Sequence, residues 1–192
     1  MGSKTSSLLQ KEEIDEIQKE TGFSKRQIVR LYSRFESLDK SDNGALSRED
    51  LLRIPELAIN PLGDRIIHAF FMDSPDSNIN FRQFMRTLSL FRPIKNHDRD
   101  IENCCNSRDN KLKFAFRMYD LDNSGAVTRD ELLVILQMMV GSNITEEQLG
   151  SIADRTIAEA DEDASGAITY DNFAKALERS DVEQMMSIRF LN

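Results

Sequence analysis

Residues 120–131 read Asp120-Leu-Asp-Asn-Ser-Gly-Ala-Val-Thr-Arg-Asp-Glu131. Oxygen donors recur at alternate positions. Asp120, Asp122 and Ser124 stand at positions 1, 3 and 5, and Gly125 at position 6 allows a sharp turn of the backbone. Ala126 at position 7 offers a carbonyl, Thr128 at position 9 can hold a water, and Glu131 at position 12 can close the set with both carboxylate oxygens. A hard cation such as calcium takes six to eight oxygens, and this spacing supplies them from one short loop.

That spacing is the EF-hand loop, and used as a ruler it finds three more frames. The second runs from Asp161 to Asn172. It keeps Asp161, Asp163, Ser165, Gly166 and the Ala167 carbonyl, but Asn172 stands where the bidentate Glu belongs. Asn brings one neutral oxygen, so this site is expected to bind more weakly than the first. The third runs from Asp39 to Asp50, with Asn43 and Gly44 in place, a shortened closing residue and Lys40 nearby. The fourth, Met72 to Gln83, keeps only the frame. Position 8 is apolar in all four: Leu46, Ile79, Val127 and Ile168. Such residues can face one another as a minimal antiparallel strand contact, so the loops are expected to pair into two lobes.

Helices flank the loops. Residues 25–38 carry Ile28, Leu31, Tyr32 and Phe35 at helical spacing, with Ser24 and Gln27 as a capping box. Residues 110–119 and 129–140 are also apolar at helical spacing. Gly141 ends the latter, and Thr145 with Gln148 caps the next helix. The fold expected is therefore all-α, with two EF-hand pairs sharing an apolar target groove. Its segments are an N-terminal stretch 1–24, an N-lobe 25–91 with two degenerate hands, a linker 92–108, a calcium-binding C-lobe 109–180 and a tail 181–192.

Composition bounds the function. The 192 residues carry a net charge of −8. Residues 1–95 hold 15 Lys/Arg against 14 Asp/Glu, and residues 96–192 hold 10 against 19, so the acidic excess lies with the intact loop. A negative surface favours cations and basic partner helices, and no basic patch suggests nucleic acid. No apolar run of ~18 residues is long enough to span a bilayer. No secretory signal is expected, because Leu8-Leu9 is followed at once by Lys11-Glu12-Glu13. Cys104 and Cys105 are adjacent, which gives no disulfide framework and suits a reducing compartment. They read as linker thiols, with palmitoylation as the sharper alternative. His68 and His97 have no zinc or catalytic pattern. No nucleophile motif or phosphate loop is present, so no enzyme is expected.

The chain opens Met1-Gly2-Ser3-Lys4-Thr5-Ser6, the pattern for N-myristoylation of Gly2. One acyl chain holds a membrane only marginally, so stable residence needs a second contact. Met118, Met138, Met139, Met185 and Met186 read as an adaptable peptide groove or as core filling, and Met118 as core. The segment from Val182 to Leu191 reads either as a packed helix or as a groove occupant.

The chain resembles the calcineurin B homologous proteins, small EF-hand regulators of sodium/proton exchangers. The stretches that carry the resemblance are Glu20-Thr-Gly-Phe-Ser, Leu31-Tyr-Ser-Arg-Phe, residues 53–67 (Arg53-Ile-Pro-Glu-Leu to Gly63-Asp-Arg-Ile-Ile67), Phe81-Arg-Gln-Phe-Met, Lys113-Phe-Ala-Phe-Arg, Met138-Met-Val-Gly, Ile152-Ala-Asp-Arg-Thr and Met186-Ser-Ile-Arg-Phe-Leu. It implies a myristoylated adaptor that holds an amphipathic juxtamembrane helix of the exchanger, at the cytoplasmic face of the plasma membrane and on vesicles. It also implies calcium only in the two C-terminal loops, and Asn172 departs from the family's closing Glu. Calcineurin B, the regulatory partner of a phosphatase, is the alternative. Its first two loops are expected to keep ligands that the Asp39 and Met72 loops lack. A calcium buffer fits poorly, since one or two sites on 22 kDa is low capacity.

Overall fold

The computed structural model describes residues 9–72, 74, 77–93 and 105–187. Gly2, Cys104, His97, part of the Met72 loop, most of the linker and Ile188, Phe190 and Leu191 of the tail lie outside them.

The chain is all-α, with two short two-stranded ladders. In the N-terminal half, α1 (Lys11–Thr21) and α2 (Lys25–Leu38) lead to β1 (Ala45–Ser47), α3 (Arg48–Leu52) and α4 (Pro55–Ala58). Then come α5 (Gly63–Phe71), β2 (Asn78–Asn80) and α6 (Phe81–Ser89). The C-terminal half runs α7 (Arg108–Tyr119), β3 (Ala126–Val127), α8 (Arg129–Val140), α9 (Glu146–Ala160), β4 (Ile168–Thr169), α10 (Tyr170–Ala176) and α11 (Val182–Met185).

Local chemistry sets the ends of these helices. Ser24 with Gln27, and Thr145 with Gln148, form reciprocal capping boxes at the starts of α2 and α9. Each helix after a loop is capped by the loop itself. Ser47, Asn80 and Thr128 each accept from the backbone N–H three residues on. Gly141, at φ 59°, ends α8.

The position-8 residues meet as their spacing predicts. Leu46 faces Ile79 across β1 and β2, and Val127 faces Ile168 across β3 and β4. All four are buried. Each ladder anchors a separate core. One gathers Ile28, Leu31, Phe35, Phe71, Phe81 and Phe84, and the other Phe116, Leu132, Ala153 and Phe173. Gly63 is required where α4 meets α5, because a Cβ there would stand 2.1 Å from the Leu57 carbonyl oxygen.

The two halves touch through α5 and α7. Phe114 meets Phe70 and Phe91 edge-on, with ring centroids 6.0 and 5.2 Å apart. The ends of the expected linker are built into the structure. Arg92 is buried and donates from Nη1 to the Thr21 carbonyl at 2.6 Å. Asn106 is also buried and reaches the Arg92 and Pro93 carbonyls. Cys105 Sγ lies 3.1 Å from the Glu20 carbonyl oxygen, so this thiol is half-buried rather than solvated. Met118 is half-buried where core was expected, because α7 turns that side of its last turn away from the C-terminal core. No helix among the described residues is long and apolar enough to cross a membrane.

Candidate metal centre

The Asp120 loop folds so that its carboxylates converge. Ligand atoms of Asp120, Asp122 and Glu131 lie within 4.8 Å of one another; Asp120 and Glu131 are buried and Asp122 is exposed. Asp120 begins the loop as the C-cap residue of α7, its N–H donating to the Phe116 carbonyl at 3.0 Å. Its two oxygens accept from the amides of Ser124 and Gly125, both at 3.0 Å. Asp122 Oδ1 accepts from Ser124 N at 2.9 Å. The turn that allows this puts Asn123 at φ 59° and Gly125 at φ 88°, left-handed conformations that suit these two residue types.

Glu131 serves two structures. Oε2 accepts from the Thr128 amide at 2.8 Å and from its hydroxyl at 2.7 Å, which caps α8. Oε1 accepts from the amides of Leu121 at 2.8 Å and Asp122 at 3.2 Å, which draws the carboxylate back over the loop entry. Burial alone would raise the Glu131 pKa, but the Thr128, Leu121 and Asp122 hydrogen bonds outweigh it, so the carboxyl sits below its ordinary value. Asp122 is lowered in turn, chiefly by the hydrogen bond from the Ser124 side chain. The set is thus anionic at neutral pH. Ala126 offers its carbonyl, which here accepts from Ser124 Oγ at 3.1 Å. Thr128, read from the sequence as a water holder, is committed to the cap of α8.

The Asp161 loop repeats the backbone pattern. Asp161 accepts from Ser165 N at 3.0 Å and Gly166 N at 2.7 Å, and Ser165 Oγ donates to the Ala167 carbonyl at 3.0 Å. It differs at its close. Asn172 is buried and turned into the loop, where its Nδ2 donates to Asp163 Oδ1 at 3.3 Å. An amide donor therefore occupies the place where the first loop has an acceptor.

In the N-terminal half, Asp39 accepts from Gly44 N at 2.7 Å and Ser41 Oγ at 3.1 Å. Asp50, at its position 12, pairs with Arg53 at 3.2 Å and with Ser47. A side-chain cation meets that loop's closing carboxylate. Among the described residues, the only group of three or more acidic, His or Cys ligand atoms is that of Asp120, Asp122 and Glu131.

Sequence reading missed the basic residues that cap helices at a distance. Arg65 of α5 reaches the last turn of α7, Arg108 reaches the Ser180 and Leu177 carbonyls beyond α10, and Lys111 reaches the Leu90, Arg92 and Met186 carbonyls. Lys111 carried a signal, because it shares the apolar face of α7 with Phe114, yet the charge suggested solvent.

The donor chemistry fits calcium: hard oxygens, two buried carboxylates and a bidentate closing residue. Calcium is the cofactor of this fold. A family model for an EF-hand domain pair matches residues 109–178. The chain is 44% identical to a calcineurin B protein of Naegleria gruberi, over 98% of this chain and 99% of the relative. It is 42% identical to a type 2 calcineurin B of Dictyostelium discoideum, over 96% and 95%. It is 33% identical to a calcineurin B of Candida glabrata, over 92% and 94%. All three carry the name of the phosphatase's regulatory partner. That reverses the order expected from the sequence, which set the exchanger regulators ahead of it. With 44% identity running through both lobes and the oxygen-lined loop at Asp120, the chain belongs to the calcineurin B family of EF-hand proteins.

Proposed function

We propose that the protein is a calcium-loaded regulatory subunit that grips an amphipathic helix of a calcineurin-type phosphatase. The single observation that carries this reading is the full-length similarity to calcineurin B proteins. It is supported by apolar side chains left at the surface. Val134 and Met138 stand one turn apart on α8, with Met139 beside them and Ile152 on α9. An amphipathic helix docks on such faces through anchors at the same spacing, and methionines adapt their shape to the target.

In this reading Asp120, Asp122, Ser124, Ala126 and Glu131 bind the ion, with Thr128 at the loop's ninth position. Asp161, Asp163, Ser165, Ala167 and Asn172 form a second, weaker site. The ion supplies a common centre for the oxygens. The chain's own residues do the rest: Glu131 ties the loop entry to α8, and so sets the angle at which α7 and α8 leave the loop. The N-lobe, 25–91, contributes scaffold, and the C-lobe, 109–180, carries the metal. The protein regulates and does not catalyse.

A second reading, an adaptor for a sodium/proton exchanger, is favoured by the N-terminal loops. Their chemistry is reduced to Asp39 and an Asp50 neutralised by Arg53. Myristoylation of Gly2 and residence at the inner face of the plasma membrane belong to both readings. The separating experiment is calorimetric titration of the calcium-loaded protein with two peptides: the helical arm of the phosphatase catalytic chain and the juxtamembrane exchanger helix. Tight binding of the phosphatase arm alone supports the first reading. Tight binding of the exchanger helix alone reverses it. Intact mass of the protein from a eukaryotic host tests the acyl group.

A further inference from the structure

The junction of α5 and α7 carries a contact that the metal loop does not itself need. Arg65 lies on α5, in the N-terminal half. Its Nε donates to the Met118 carbonyl at 3.0 Å, and its Nη2 to the carbonyls of Arg117 at 3.2 Å and Asp120 at 3.3 Å. These belong to the end of α7, where carbonyls have no helical N–H to accept from. Asp120 is also the first residue of the loop. One side chain from the other lobe thus holds the backbone of Asp120 while the Ser124 and Gly125 amides hold its carboxylate. Phe70 of α5 packs against Phe114 of α7 beside it, ring centroids 6.0 Å apart.

We infer that Arg65 is a positioning residue for the Asp120 loop, and that calcium there is coupled through it to the docking of the N-lobe on α7. The inference rests on the Asp120 loop being the calcium site. With the carbonyls held, the loop entry is ordered in advance, and less backbone entropy is lost when the oxygens converge. Linkage makes the effect mutual: calcium must tighten the grip of Arg65 by the same factor. A mere bystander charge would act with the opposite sign. A guanidinium near a cation site repels the ion, so its removal would strengthen binding.

That sign decides the test. Calcium affinity of the full-length protein is measured by chelator competition, and calcium release by stopped flow, for the wild type, Arg65→Met, Arg65→Lys and Glu131→Gln. Amide exchange of Gly63–Phe71 is followed with and without calcium. Arg65→Met is expected to weaken calcium about fivefold or more, the usual scale of such coupling. It should speed release and remove the calcium-induced protection of α5. Arg65→Lys, which keeps the charge and loses the fork, should fall between. Equal or tighter calcium binding in Arg65→Met, with α5 still protected by calcium, overturns the inference. Should Arg65→Met fail to fold, Arg65→Lys decides, and an unchanged affinity there is equally fatal. Glu131→Gln keeps the two failures apart. If it leaves tight binding intact, the site assignment is wrong. If it abolishes tight binding while the Arg65 variants behave as wild type, only the role of Arg65 is wrong.

Discussion

Lys111 donates from its Nζ to the Met186 carbonyl oxygen at 3.2 Å, across 75 residues of chain. The same ammonium reaches the Arg92 carbonyl at 3.1 Å and the Leu90 carbonyl, and the side chain is fully buried. A cation inside the protein is tolerated only when its hydration is replaced, and three carbonyls from two other segments help to replace it here. Lys111 thereby joins the end of α6, the start of the linker and the end of α11 to the first helix of the C-terminal half.

Replacing Lys111 by Met keeps the volume and removes the donor. The buried carbonyls then lack a partner, so the variant is expected to lose about 2–4 kcal/mol of stability. Urea unfolding at fixed calcium measures it. A change below about 0.5 kcal/mol, the size of an ordinary surface substitution, would show that the ammonium contributes little.

Glu131→Gln separates the two tasks of this residue. The amide oxygen can still accept from Thr128 and cap α8, since Gln serves at this capping position. The bidentate charge is gone. Calcium affinity should fall by roughly a hundredfold, because ligand charge sets affinity in these loops. Circular dichroism without calcium should show unchanged helix content.

Asn172→Glu restores the charge that the second loop lacks and removes the donor now facing Asp163. The expected result is a gain of roughly tenfold or more in affinity at this loop, read as a second tight ion by calorimetry. A titration identical to the wild type would mean that something other than residue 172 limits the site.

Ala164 sits at φ 56° in the second loop, where the first loop has Asn123 at φ 59°. A Cβ is strained in this region, and Asn tolerates it better than Ala. Ala164→Asn should stabilise the protein by up to about 1 kcal/mol, visible as a higher midpoint in thermal melts without calcium. An unchanged or lower midpoint counts against strain at this residue.

Glu20 pairs with Arg82 and Arg86 of α6, and these partners pull its pKa from 4.5 down to about 2. The folded carboxyl is the stronger acid, so the pair stabilises the fold above the unfolded value and is lost as pH falls from about 4.5 toward 2. For a partly exposed pair the contribution is about 1 kcal/mol. Glu20→Gln should therefore cost stability at about pH 7 and almost none near pH 2. An equal cost at both pH values would assign the effect to packing.

The residues around each loop were legible because their chemistry is local. A capping box is written in four consecutive residues, so Ser24 with Gln27 and Thr145 with Gln148 could be read directly. The apolar position 8 declared the strand pairs, since a single buried residue per loop leaves one register. The Asp120 spacing likewise pointed to an oxygen-lined loop, because all its donors lie within twelve residues. The all-α class, the helix ends and calcium as the cofactor were thus determined by the sequence alone.

Only the tertiary structure decided how the halves engage. Arg65 lies 53 residues from Met118, and Arg92 lies 71 from Thr21. No periodicity relates them. The sequence marks these side chains as charged and suited to solvent, whereas folding brings them against helix ends whose carbonyls lack partners. The same holds for Asn172. Its type announced a missing ligand, but that its amide donates into the loop depends on how α10 is set against it. Short-range hydrogen bonds and side-chain alternation are properties of the local chain, while the partner of a helix end depends on which surfaces the packed cores bring together.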